Sequence, residues 1–378
     1  MRILHVIARL NDGGPARVLL ALAPALRQHG ISTRIVAGRC AADEPDLTQQ
    51  LRAAGIEVMT LPTLQRATTL WQDMLAFAAL YRVIKQLRPD VVHTHTAKAG
   101  ALGRIICRLQ GVRCVHTYHG HVLQGYFSPW INAALQVTER LLAGHVWHHA
   151  LTKTQYQELA VQFAIGRRSR WNVLPVPVTP VVAATAAWQQ CLQPGIPVIG
   201  FLGRLAAVKD VWLWLEVLQE LAHQRPVQGV ICGDGAEQFA LTERLRHFPV
   251  PVMCTGFVPA GEALQVMDVL LMTSRNEGLP LTAIEAGGCT PRGVPVVAPA
   301  VGGLQDLIRV GAVVGAPRRA SALALACLRV LNDAELRRRT GTQARVLAEQ
   351  LAPSVLARAY AQFYHRIGGH VPHRIRGQ

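Results

Sequence analysis

Along most of this chain, short runs of consecutive apolar residues alternate with longer stretches whose apolar positions recur every three or four residues. The short runs predict strands buried on both faces, and the longer periodic stretches predict amphipathic helices. In the first half, strands are expected at 2–8, 32–37, 56–61, 90–95, 113–118, 146–151 and 171–175, with helices such as 15–29, 68–87, 98–109 and 131–143 between them. In the second half, strands are expected at 196–202, 227–232, 251–255, 268–273 and 294–298, and helices at 209–223, 236–247, 260–267, 280–287 and 321–331. Such alternation specifies an α/β fold with parallel sheets covered on both sides, and two such blocks specify two doubly wound domains. Five prolines between 174 and 197 mark the hinge. The expected domains are 1–180 and 181–350, and a last helix within 351–378 precedes a basic tail. Pro24 falls inside the first predicted helix, where an interior proline costs about 3 kcal/mol, so a kink is expected.

Composition narrows the class. The 378 residues are 50% hydrophobic, enough for two cores, yet no long uncharged apolar run reads as a membrane span and no secretory leader is recognisable. A cytoplasmic protein is expected. None of the eight cysteines has C-x-x-C spacing and there is no H-E-x-x-H, so buried thiols are expected and not a zinc site. The net charge is +16, and residues 1–188 hold 20 Lys and Arg against 9 acids. Three readings of that excess stand side by side: arginine-rich solvated faces, an anionic membrane surface or lipid-phosphate acceptor, and nucleic acid. The last is disfavoured because no nucleic-acid module accompanies the charge.

Ligands of open α/β sheets sit beyond the carboxyl ends of the strands, so residues just after each predicted strand are the candidates. The densest set runs from Arg275 to Ala286 (RNEGLPLTAIEA). Pro280 suits a first helical turn, and the N–H groups of Gly278, Leu279 and Leu281 would then face an anion. Glu277 in the loop and Glu285 in the helix are each placed to accept hydrogen bonds from a polyol. An anion with two sets of hydroxyls describes a nucleotide diphospho-sugar. Arg204 and Lys209, beside an earlier strand end, are suited to a diphosphate, the first bidentately and the second as a point charge. Gly13 and Gly14 open the first helix and permit close backbone approach, or form a plain turn. Gly233, in a GDG turn, and Phe257 with Val258, after the next strand, complete the donor set. His119 ends the strand run VHTYHG; a ligand contact and a structural histidine are both open for it. His95, Lys98, His121 and Tyr126 are the weaker acceptor candidates.

These segments resemble the retaining glycosyltransferases of family 4, which have the GT-B fold and an E-x7-E motif. The likeness runs from Ile3 to about Ala348 and is carried by RILHVIARLNDGGPARVLLALAPAL, RPDVVHTHTAKAGALGR, VHTYHGHVLQGYFSP, IGFLGRLAAVKD, ICGDGAE and the Glu277/Glu285 pair. It implies two Rossmann-like domains with an interdomain cleft, a C-terminal helix crossing back to the first domain, and transfer with retained anomeric configuration. It also implies that His119 lies against the donor sugar, that Arg204 and Lys209 stabilise the leaving diphosphate, and that the loop of Gly233 lies near the nucleotide. No D-x-D occurs, so neither metal nor cofactor is expected. The expected activity is transfer of a hexose, with UDP-sugar as the favoured donor, to a saccharide or lipid-linked acceptor in cell-surface polysaccharide or glycolipid synthesis, at the inner face of the membrane. The alternative is a non-catalytic or divergent homologue, such as a nucleotide-sugar epimerase or binding protein.

Four departures from that family's pattern are visible. Asp210 stands where a glycine often follows the lysine, LPVPV at 174–178 replaces the usual N-G-V-D-like turn, about three extra residues lie within 287–292, and the loop after Gly303 is shortened. Gly287 and Gly288 are expected to end the Glu285 helix early.

Overall fold

The computed structural model describes residues 1–41, 44–64, 69–120, 123, 128–185 and 187–369. The chain forms two compact units: one takes Met1–Val178 together with the chain from Leu351, the other Thr179–Gln350.

In the first unit the order is β1 (Arg2–Ile7), α1 (Gly14–Arg27), β2 (Ser32–Ala37), α2 (Thr48–Ala53), β3 (Glu57–Thr60), α3 (Leu70–Leu87), β4 (Val91–His95), α4 (Ala97–Gln110), β5 (Arg113–Tyr118), α5 (Pro129–Leu142), β6 (Val146–Ala150), α6 (Lys153–Tyr156) and β7 (Trp171–Val173). Its seven strands pair in the order β3-β2-β1-β4-β5-β6-β7, and every pairing is parallel. The order reverses between β1 and β4, the point at which an open sheet leaves a crevice for ligand. Leu4, Val6 and Val92 pack under α3 and α4, against Leu80, Ile84 and Ile106. Ile7, Ile35 and Val58 pack with Leu19 and Ala23 of α1. The α1 helix is assigned without a break through Pro24 to Arg27. Helix α3 stops at a left-handed Arg88, the residue before Pro89, which a following proline bars from continuing as helix.

The second unit runs β8 (Val198–Leu202), α7 (Val211–Ala222), β9 (Gln228–Cys232), α8 (Gln238–Leu245), β10 (Val252–Gly256), α9 (Ala260–Leu264), β11 (Val269–Leu271), α10 (Leu281–Cys289), β12 (Val296–Pro299), α11 (Leu304–Arg309), β13 (Val314–Ala316), α12 (Ala320–Asn332) and α13 (Ala334–Gln350). Its six strands are parallel in the order β10-β9-β8-β11-β12-β13, with the reversal between β8 and β11. Trp214 and Leu218 of α7 and Leu323 and Cys327 of α12 cover one face, on Phe201, Ile231 and Val269. The closing helix α14 (Pro353–Gly368) belongs to the first unit and packs on α1.

Three expectations need correcting. The short β13 and the helices α11 and α13 were not foreseen; α13 (AELRRRTGTQARVLAEQ) is too polar for its buried edge to stand out. Pro280 is not in the first turn but caps α10 from outside. That helix also does not end at Gly287: it continues through Gly288 to Cys289. A Cβ on Gly287 would meet backbone and side-chain atoms of Ala344 at 2.5–2.6 Å, so this glycine exists for close α10–α13 packing and not for termination.

Candidate functional site

In the second unit Lys209 and Glu277 meet beyond the carboxyl ends of β8 and β11, the reversal point of the sheet. Lys209 Nζ lies 2.6 Å from Glu277 Oε1, with side chains 25% and 9% exposed. Ser274 Oγ donates to the same oxygen at 2.6 Å. The loops that carry this pair are laced together. Thr273 Oγ1 bonds the carbonyl oxygens of Lys209 and Asp210 (3.0 and 2.8 Å), and the Arg275 N–H donates to the Val208 carbonyl (2.8 Å). On its other side the Glu277 carbonyl accepts from the Gly303 N–H at 2.9 Å. Gly302 sits so close that a Cβ there would lie 2.1 Å from the same carbonyl oxygen, at a φ of +46° that also favours glycine. The carboxylate is therefore held by its side chain and its backbone together.

Asp210 adopts a left-handed φ of 52°, where a short polar side chain is tolerated in place of glycine. Its carboxylate caps α7 by accepting from the Leu213 N–H, and it pairs with Arg275 (3.2 Å) and with Arg318. Arg318 was not among the sequence candidates, and the run Pro317-Arg318-Arg319 has no local feature that singles it out. Arg204 is exposed, and its side chain makes no ion pair or hydrogen bond among the described residues, while its carbonyl accepts from the Ala206 N–H at 2.9 Å. The N–H groups of Gly278, Leu279 and Leu281 have no protein acceptor among the described residues, as expected at a helix start. Glu285 is buried at 6% exposure on α10. A Cβ on Gly233 would stand 1.9 Å from the Gly203 carbonyl oxygen, so the loops after β8 and β9 cross in contact there. Phe257 is 52% exposed after β10, and Val258 beside it is half-buried.

In the first unit Gly13 caps α1 and Gly14 opens it. The Asp12–Arg17 ion pair (2.5 Å) braces that loop. Lys98 is committed to Asp73 of α3, and its side chain is only 12% exposed. His121 and Tyr126 lie outside the described residues.

His95 and His119 belong to a larger group that the sequence reading missed. His5 Nδ1 lies 2.9 Å from His95 Nε2, and His95 Nδ1 lies 2.8 Å from His119 Nε2. A second chain lies alongside. His93 bonds the Tyr364 hydroxyl of α14 and Thr117 Oγ1, each at 2.6 Å, Thr117 bonds His149 Nδ1 at 2.9 Å, and His149 Nε2 donates to the Leu174 carbonyl at 2.6 Å. Burial holds all five imidazoles below their ordinary range: His5 and His119 at about 3, His149 at about 4, and His93 and His95 well below 6.5. They are neutral at physiological pH. The alternating pattern HTH of β4 was the available signal, since it puts both histidines on one sheet face.

Ring nitrogens of His5, His93 and His95 lie within 4.8 Å of one another, which invites a metal reading. The rings stack, however, with centroids 4.3, 5.1 and 5.2 Å apart, and do not aim at a common centre. Both nitrogens of His93 and of His95 are already bonded. Stacked neutral rings with no carboxylate suit a hydrogen-bonded array better than a divalent cation.

Comparison with known proteins follows the same division of the chain. Residues 13–177 match the glycosyl transferase 4-like domain, and residues 186–347 match glycosyl transferases group 1. The chain is 26% identical over 279 residues to the Escherichia coli UDP-Gal:alpha-D-GlcNAc-diphosphoundecaprenol alpha-1,3-galactosyltransferase, covering 67% of this chain and 69% of that one. It is 31% identical over 287 residues to the 2-deoxystreptamine glucosyltransferase of Streptomyces kanamyceticus, covering 68% and 72%. Among solved structures, Anabaena Alr3699/HepE in complex with UDP and glucose superposes with a TM-score of 0.78 at 21% identity, over 97% of this chain and 100% of that one.

Proposed function

This chain belongs to the family 4 glycosyltransferases of the GT-B fold, and from that premise we propose that it moves a hexose from a UDP-sugar to a lipid-linked saccharide with retention of configuration. The observation that carries the reading is the Lys209–Glu277 pair beside the unbonded N–H groups of Gly278, Leu279 and Leu281. A bound donor gives each member of that pair a new partner. Lys209, with Arg204, takes the diphosphate; Glu277 takes hexose hydroxyls; Glu285 takes the ribose. By the family resemblance, His119 is the first unit's candidate for a sugar contact.

In the transfer, the bond between the anomeric carbon and the terminal phosphate oxygen breaks, and the diphosphate leaves with the electron pair. The acceptor oxygen bonds to the same face of the sugar, and its proton passes to the departing phosphate. Negative charge grows on the diphosphate, and donors fixed around that position lower the barrier without reorganising. Protein cations take the role that a metal would otherwise fill, so the reaction proceeds without one.

A lipid-linked acceptor suits the charge of the first half, and the E. coli relative is named for a diphosphoundecaprenol substrate. Trp71, Met74, Leu109, Trp130 and Leu141 are exposed on α3, α4 and α5, with Arg82, Lys85 and Arg108 exposed on α3 and α4. Apolar side chains interleaved with cations favour an anionic bilayer surface, each near-surface cation contributing about 1 kcal/mol. No helix among the described residues is long and apolar enough to cross a membrane.

The test is calorimetry with UDP, GDP, ADP and their sugars on the wild type and Glu285→Ala, with magnesium and with chelator. Uridine-selective binding that ignores chelator and is lost in the variant is expected. Selective guanosine or adenosine binding overturns the donor assignment, and chelator-sensitive transfer overturns the metal-free one.

A further inference from the structure

His5, His95 and His119 come from three neighbouring strands: the interior of β1, the last residue of β4, and the residue after β5. Three neutral rings carry three N–H protons, and two of them occupy the two contacts between the rings. Only two proton orders are possible. In one, His5 Nδ1–H donates to His95 Nε2, His95 Nδ1–H donates to His119 Nε2, and His119 carries its own proton on Nδ1. In the other every bond is reversed, so that His5 Nε2 carries a proton and His119 Nδ1 is a lone pair.

The far end of the chain decides between them. His5 is wholly buried, and its Nε2 has no hydrogen-bond partner among the described residues. A buried N–H without an acceptor is the rarer and costlier defect; a bare ring lone pair is the milder one. His5 is therefore protonated on Nδ1, and this choice propagates through His95. The parallel chain is ordered the same way by a different anchor. The Leu174 carbonyl can only accept, so His149 carries its proton on Nε2, the Thr117 hydroxyl donates to His149, His93 donates to Thr117, and the Tyr364 hydroxyl donates to His93.

We propose that His5 and His95 form a tautomer relay that fixes His119 as an Nδ1–H donor towards bound ligand. On this assignment His5 and His95 are positioning residues that touch no substrate. His119 Nδ1 has no partner among the described residues, which leaves its proton for an oxygen acceptor such as a sugar hydroxyl. It follows that His119 does not serve as a general base, because its remaining lone pair on Nε2 is already bonded to His95. The functional part rests on reading His119 as a ligand-facing residue; the proton order does not.

The experiment is a two-bond proton–nitrogen correlation spectrum of the full chain carrying isotope-labelled histidine, near neutral pH and without donor. The His119 signals are identified by their loss in His119→Asn. The expected result is a single Nδ1–H tautomer at His119 in the wild type, and averaging between the two tautomers in His95→Leu. An Nε2–H or averaged pattern in the wild type overturns the proposal, and so does an unchanged single tautomer in a folded His95→Leu. Should His95→Leu fail to fold, the wild-type spectrum decides alone. In kinetics, His95→Leu should raise the donor KM roughly tenfold, the size of one hydrogen bond lost from binding. If instead His119→Asn leaves donor binding unchanged, the ligand-facing reading of His119 fails while the spectrum still judges the relay.

Discussion

Lys209 and Glu277 are 68 positions apart in the chain and 2.6 Å apart at the reversal point of the second sheet. Each was a separate candidate in the sequence, one for phosphate and one for sugar. Their contact couples the two proposed functions: the cation assigned to the diphosphate is the same one that orients the carboxylate. Lys209→Ala should lower kcat/KM by about 10²–10³-fold, as removal of a group aimed at developing negative charge does. It should also cost about 1–2 kcal/mol of stability, because Glu277 is only 9% exposed and keeps only Ser274 of the two groups bonded to Oε1. Steady-state transfer assays and urea unfolding check both. A variant that loses stability but keeps its rate would remove Lys209 from the chemistry.

Ser274→Ala tests the other support of the same oxygen. Ser274 is 1% exposed and its hydroxyl donates at 2.6 Å, so its loss leaves Lys209 as the remaining partner of Glu277 Oε1 among the described residues. Donor KM should rise several-fold, with kcat changed less, since one ordinary hydrogen bond is worth about 1 kcal/mol. Equal effects on both parameters would place Ser274 in transition-state stabilisation instead.

Asp210 occupies a left-handed backbone position while capping α7 and receiving Arg275 and Arg318. Glycine fits the backbone at no steric cost and is a fair cap; alanine fits neither role. Asp210→Gly should therefore stay within about 1 kcal/mol of the wild type, while Asp210→Ala should lose about 2 kcal/mol. Equal stability of the two variants, measured by urea unfolding, would show that the backbone conformation is not what selects this residue.

The parts of this molecule that could be read in advance are those written locally. Runs such as VIGFL and VVHTH marked their strands, and strand ends pointed to the candidates Arg204, Lys209 and Glu277. Contacts between distant segments were not legible. Gly287 reads as a helix stop until α13 is known, and α13 is hidden by its charge; only then is Ala344 visible as the reason for a glycine. The histidine chains show the same limit. His5, His95 and His119 span 114 positions, and they become neighbours only once β1, β4 and β5 are known to lie side by side. Arg318 reaches Asp210 across 108 positions and has no local mark.

Gly287→Ala is the corresponding packing test. The added methyl lands 2.5 Å from the Ala344 carbonyl carbon, so α10 and α13 must separate. Forced overpacking costs about 1–3 kcal/mol. Because α10 also carries Glu285, donor affinity should fall with stability, in contrast to Gly288→Ala, whose methyl meets only the Ala348 side chain at an ordinary 3.5 Å. Thermal unfolding and UDP calorimetry on the two variants separate the outcomes, and equal behaviour of the pair would contradict the close contact.

Acid should destabilise the first unit well above the pH at which carboxylates protonate. In the folded chain His5 and His119 titrate at about 3 and His148 and His149 at about 4, while the unfolded values are near 6.5; burial is the leading cause in each case. Between those limits the unfolded state binds more protons than the folded one, so stability rises with pH and is lost as pH falls from about 6.5 towards 4. Each such histidine contributes a slope approaching roughly 1.4 kcal/mol per pH unit, and the buried His93, His95 and His116 act in the same direction. Urea midpoints of the full chain should therefore drop steeply between pH 6.5 and 5. The drop should be shallower in His148→Asn, which removes one titrating ring on the sheet face opposite His93 and His95. A flat profile across that interval would mean that the histidines are not neutral and buried in the folded protein, and the proton order derived for them would fall with it.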